Sequence, residues 1–83
     1  MHRATPQFWN KFDALPESVQ QRARKDFALL KQDPGHPSLH FKRVGRFWSA
    51  RVGLGHRAVA LEGGPDFIWV WIGDHDEYDR LVG

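Results

Sequence analysis

The chain has 83 residues, 41% of them hydrophobic, with no cysteine and a formal net charge of +2. That length suits one small domain over residues 1–83 with a modest core, and the lack of cysteine excludes a disulfide framework, a thiolate metal site and a cysteine nucleophile. No apolar run reaches membrane-spanning length, and Met1-His2-Arg3-Ala4-Thr5-Pro6 has no hydrophobic signal segment, so a cytoplasmic protein without membrane attachment is expected.

The elements follow in order. Residues 6–14 read as a short helix with Phe8, Trp9 and Phe12 on one side. Leu15-Pro16-Glu17-Ser18 breaks it and starts a second helix, since proline fits the first helical position and Glu17 favours the positive end of the dipole. Val19, Ala23, Phe27 and Leu30 form one apolar stripe to about Gln32. Asp33-Pro34-Gly35-His36-Pro37 ends that helix. Strands are expected at Ser38–Val44, Arg46–Val52, His56–Glu62 and Phe67–Ile72, the last an unbroken apolar run suited to burial on both faces. Trp69 and Trp71 then share a face, as core or as a groove for a partner peptide. A terminal helix runs from Asp76 to Leu81. The order predicts an α+β fold, two N-terminal helices on a small twisted antiparallel sheet with a short C-terminal helix.

Arg46 to Leu61 alternates on both sides of Gly53-Leu54-Gly55. If those three residues form the loop, Val52 pairs with His56 and Arg51 with Arg57. Paired residues share a face, and opposed like charges are destabilising unless something uses them. Two guanidinium forks match the oxygens of a phosphate and suit the extra charge of a phosphoryl transition state. The plainer alternative is two arginines splayed into water or held by Glu62 and Asp76. Ala50, Ala58 and Ala60 fall on the opposite face, where small side chains let the long helix approach. With Leu39 and Phe41 inward, His40 and Lys42 point outward beside the arginines. Lys42, Arg43, Arg46 and, farther along the chain, Tyr78 are candidate RNA or phosphate contacts; the basic ones are alternatively edge charges that discourage aggregation.

Charge is unevenly spread. Residues 1–57 hold 11 Lys/Arg against 4 Asp/Glu, and residues 58–83 hold 1 against 6. The basic part ends at Arg57 and suits a polyanion such as RNA or DNA, or is simply a solvated surface. His75 follows the apolar strand, where a general acid could sit, and flanking carboxylates favour its charged form. It could equally cap the helix. Tyr78, one turn on, faces the same pocket or packs on the core. The acidic residues here point in different directions along a helix, so no metal site is expected. Ser49 lacks the elbow sequence of a nucleophile.

Taken together, Leu15-Pro16-x-x-Val19-Gln20-x-x-Ala23, Pro37-x-Leu39-x-Phe41-Lys42, Trp48-Ser49-x-Arg51, His56-Arg57-Ala58-Val59 and Trp71-Ile72-Gly73-x-His75-x-x-Tyr78-Asp79 resemble the RelE/ParE superfamily of toxins from bacterial type II toxin–antitoxin modules. The resemblance spans nearly the whole chain in register. It implies a metal- and cofactor-independent endoribonuclease that cuts mRNA on the ribosome, leaving a cyclic phosphate and a 5′-hydroxyl. By the same likeness Arg57 holds the scissile phosphate, Arg51 and Lys42 are basic site positions, His75 serves as acid, and Tyr78 matches a variable tyrosine. The glutamate base of some members is absent; Leu39, His40 and Phe41 stand there, of which only His40 could replace it. The acidic ending also departs from the basic tails of several members. The ParE branch shares the fold and poisons DNA gyrase, so a gyrase inhibitor and an inactive binding module are the alternatives. An acidic antitoxin that wraps the basic face, forming a hetero-oligomer, is the implied partner.

Overall fold

The computed structural model describes residues 1–82. The chain forms β1 (His2–Ala4), α1 (Pro6–Asp13), α2 (Glu17–Gln32), one 3-10 turn (Pro37–Leu39), β2 (Lys42–Val44), β3 (Phe47–Val52), β4 (His56–Gly63), β5 (Asp66–Asp74) and α3 (His75–Val82). The Thr5 hydroxyl accepts the Phe8 N–H at 3.1 Å and Pro6 opens α1, so capping starts the helix where the sequence signals it. At its far end the Gln20 amide donates to the carbonyls of Phe12 and Leu15, at 3.2 and 3.0 Å, and ties the α1–α2 corner. Of the apolar stripe on α2, Ala23 and Leu30 are buried, and Phe27 lies at the margin with the Lys31 ammonium over its ring.

The five strands run in the order β1-β5-β4-β3-β2. Strands β2 to β5 form the expected antiparallel sheet. β1 is an additional edge strand, parallel to β5, with His2 opposite Phe67 and Ala4 opposite Trp69. It makes β5 an interior strand, which accounts for the apolar run. The hairpin has the register read from alternation: Val52 faces His56 and Arg51 faces Arg57. Gly53 takes φ +60°, a conformation that favours glycine.

Three details differ from the sequence reading. The expected strand at Ser38–Val44 shrinks to Lys42–Val44, because Pro37 initiates a 3-10 turn that buries Leu39. That turn ends at His40 with φ 44° and ψ 41°, a left-handed conformation uncommon outside glycine. Arg46 lies in the β2–β3 turn rather than in a strand. The two tryptophans do not share a face: Trp71 pairs with Val59 and Trp69 with Ala60, leaving Val70 as a bulge that reverses the alternation.

Trp69 therefore enters the core with Phe12, Leu30, Leu39, Ala50, Val52, Ala58, Ala60 and Ile72. α1 rests on β5 and α2 on β3. The alanines admit the helices, but an apolar cleft of about 440 Å³ stays open above Ala50 and Ala58. Among the described residues, no helix is long and apolar enough to cross a membrane.

His2 anchors the added strand. Its Nδ1 accepts the Trp69 indole N–H at 3.0 Å, and its ring stacks on Phe67. Burial, then the N-terminal ammonium and Lys31, push its pKa below 6.5. The unfolded chain therefore takes up a proton before the folded one does. This contribution is intact above about pH 6.5 and is lost as the pH falls through the lower folded value. In urea unfolding between pH 7.5 and 5, the protein should lose more stability than His2→Asn, whose amide oxygen retains an acceptor without titrating; equal slopes would refute the assignment.

Candidate anion site on the sheet face opposite the long helices

The core alternation decides what the other face carries. With Ala50, Ala58 and Ile72 turned toward α1 and α2, their neighbours Ser49, Arg51, Arg57, Val59, Trp71 and Gly73 turn away. One row across this face reads Lys42, Ser49, Val59, Trp71, and the next reads Arg51, Arg57, Gly73. Lys42 thus lies on the arginine face, one row from the pair. Arg43 does not: it pairs with Trp48 on the helix-facing side, donates from Nε to the Gly45 carbonyl at 3.1 Å and lies 3.9 Å from Glu62. Arg46 is exposed in the turn beyond.

α3 covers part of this face, so the pair is less open than the sequence suggests. Tyr78 is only 6% exposed, and the Arg57 guanidinium lies over its ring, 5.1 Å from the centroid. Arg57 Nη1 donates to the buried Ser49 hydroxyl at 3.3 Å, and its Nε is buried without a partner among the described residues. Gly73 makes room beside it, since a Cβ there would lie 2.6 Å from the Trp71 ring. Neither Arg51 nor Arg57 forms an ion pair among the described residues. Glu62 is engaged elsewhere, accepting the Trp48 indole N–H and facing Arg43. Two opposed guanidiniums without a carboxylate between them leave a demand that an anion can meet.

One histidine meets the pair directly and another lies beside the Tyr78 ring that Arg57 covers. Arg51 Nη1 lies 3.3 Å from His40 Nε2. A guanidinium only donates, so a hydrogen bond between them uses Nε2 as the acceptor. The left-handed turn that ends the 3-10 segment turns His40 to this position. The His75 ring lies 6.2 Å from the Tyr78 ring, its Nδ1 is 3.2 Å from the Asp79 carboxylate, and its Nε2 has no hydrogen bond among the described residues. His75 does not cap α3. Asp74 does, accepting the Glu77 N–H at 2.8 Å, and that bond holds its carboxyl below the usual aspartate range. The His75 N–H instead donates to the Gly55 carbonyl at 2.9 Å.

Strand alternation places His40 beside the arginines, and the structure brings it there by a different route, a left-handed residue closing a 3-10 turn. Ser49 carried no signal beyond its place between Trp48 and Ala50. Against the expectation that the acidic residues here point apart, His75, Asp76 and Asp79 bring their ligand atoms within 4.8 Å of one another; all three are exposed and sit on one short helix, which supplies only part of a metal shell.

No family model matches the chain, and no curated protein matches it. Solved structures do match in fold. The toxin–antitoxin complex RelB–RelE of Methanococcus jannaschii aligns at TM-score 0.74 and 12% identity, covering 98% of this chain and 99% of the other. A YoeB/ParE toxin of Agrobacterium tumefaciens aligns at 0.68 and 14% identity, covering 89% and 96%. The isolated RelE toxin of E. coli aligns at 0.65 and 11% identity, covering 99% and 94%. Over almost its whole length, this chain has the fold of the RelE/ParE toxins.

Proposed function

We propose that the protein is the toxin of a type II toxin–antitoxin module and cleaves mRNA on the ribosome. The observation that carries this reading is the Arg51–Arg57 pair, opposed across one strand register, free of carboxylates among the described residues, with His40 in contact with Arg51 and His75 beside the Tyr78 ring that Arg57 covers. A phosphodiester between the two guanidiniums meets their unsatisfied donors. Tyr78 and Ser49 keep Arg57 oriented before the substrate arrives, so little reorganisation is needed as charge develops.

The phosphate draws Arg51 away from His40 and frees Nε2. His40 then accepts the proton of the ribose 2′-hydroxyl as its oxygen attacks phosphorus. The five-coordinate phosphorus carries extra negative charge, which the two guanidiniums and Lys42 neutralise. The bond from phosphorus to the 5′-oxygen breaks, and that oxygen takes a proton from His75. The products are a 2′,3′-cyclic phosphate and a 5′-hydroxyl. Arg46, exposed at the rim, adds a backbone contact farther along the strand. An acidic antitoxin segment competes for the same arginines, as the solved fold neighbours that are antitoxin–toxin complexes suggest.

Ribosomes programmed with a defined mRNA test this directly, with cleavage sites read by primer extension. Arg57→Ala should lower the cleavage rate by roughly 10²- to 10³-fold, the usual loss for one transition-state donor. Arg57→Lys should not restore it, because an ammonium lacks the fork. Intact mRNA under these conditions, with inhibition of DNA gyrase instead, would overturn the reading.

The two histidines are separable by pH. A base must be unprotonated and an acid protonated, so the rate should rise and then fall with pH. His40→Gln should remove the rising limb and His75→Gln the falling one, each with a loss of about 10²- to 10⁴-fold. A profile unchanged in both variants would exclude the assignment.

A further inference from the structure

Asp26 lies on α2, on the other side of the sheet from the anion site, and it is a buried carboxylate at 7% exposure. Arg22 Nε reaches both of its oxygens at 3.1 Å. Arg22 is half exposed, so the pair contributes little, and burying the carboxylate costs more than such a pair returns. The second contact explains the burial. Asp26 Oδ2 accepts the N–H of Gly53 at 3.1 Å, the first residue of the turn. Gly53 has φ +60°, and a Cβ there would lie 3.4 Å from Arg22 Cγ, so α2 abuts the turn. At the other end of the same turn, the Gly55 carbonyl accepts the His75 N–H at 2.9 Å. The three-residue turn is thus fastened at both ends, by α2 at Gly53 and, as a continuation of the β4–β5 ladder, by the first residue of α3 at Gly55.

We propose that Asp26 is a positioning residue: through Gly53 it holds the turn that sets Arg51 against Arg57 and anchors the backbone of His75. The inference rests on the reading of those three residues as the reacting site. Without the carboxylate, the Gly53 N–H loses its partner and the glycine-rich turn is free to open. Its motion passes to the arginine row next to it and, through Gly55, to the first residue of α3. Misplacement by about 1 Å is enough to lower a rate by about 10²-fold while substrate still binds.

The test compares Asp26→Ala, Asp26→Asn and Arg22→Gln in the full chain, each first shown to unfold cooperatively. Asp26→Asn keeps an acceptor oxygen for Gly53 but not the charge, and Arg22→Gln removes the ion pair alone. On programmed ribosomes, Asp26→Ala should lower kcat by roughly 10- to 100-fold with little change in KM. Asp26→Asn should recover most of that loss, and Arg22→Gln should cleave like the unaltered protein. Amide exchange at Gly53 should quicken in Asp26→Ala only, and the Arg57 Hε resonance should broaden with it. A folded Asp26→Ala with unchanged kcat and Gly53 exchange overturns the proposal, as does Asp26→Asn that behaves like alanine. Should the unaltered protein cleave no RNA, the ribonuclease reading fails, and the exchange and Hε measurements still decide the role of Asp26.

Discussion

Two like charges facing each other across a strand pair are the constraint on which the rest of this structure depends. Arg51 and Arg57 repel, so the hairpin alone has reason to slip or splay. A slip of β4 by one residue would turn Ala58 and Ala60 out of the core and Arg57 into it, at a cost of several kcal/mol in lost burial and buried charge. The apolar face therefore pins the charged face. The alanine row is small enough for α1 and α2 to lie above it, and Trp69, Ile72, Phe12 and Leu30 supply the bulk.

The charged face is organised rather than merely exposed. Tyr78 gives Arg57 an aromatic surface, Ser49 fixes one of its nitrogens, and His40 meets Arg51. None of these partners carries negative charge, so the pair is oriented without being neutralised. That combination suits a transient anion better than a permanent ion pair, which would have to be broken before a substrate could bind. The carboxylates near the pair are placed where they do not compete: Asp79 on His75, Asp74 on the helix start, Glu62 beside Trp48.

Much of this was legible in the sequence because it depends on period and turn chemistry. Alternation about Gly53-Leu54-Gly55 gave the register that opposes the arginines, and Pro16 with the spaced apolar residues gave α2. What escaped has local causes. Three residues, His2-Arg3-Ala4, carry no strand pattern; tertiary pairing with β5 makes them one. The bulge at Val70 sits inside an all-apolar run, where no polar residue marks a change of face. His40 belongs to a 3-10 turn set by Pro37, and a left-handed histidine leaves no periodic trace. The roles of Ser49 and Asp26 come from contacts across the sheet that no spacing encodes.

The central claim is that the opposed arginines, and not the other basic side chains, receive the phosphate. The most direct measurement follows the arginine Nε–Hε signals of labelled protein during titration with a 2′-deoxy oligonucleotide, which binds but cannot react. Arg51 and Arg57 should shift together and saturably, and the His40 ring signals should move as Arg51 leaves its Nε2. Shifts confined to Arg43 and Arg46, with Arg57 unmoved, would contradict the account.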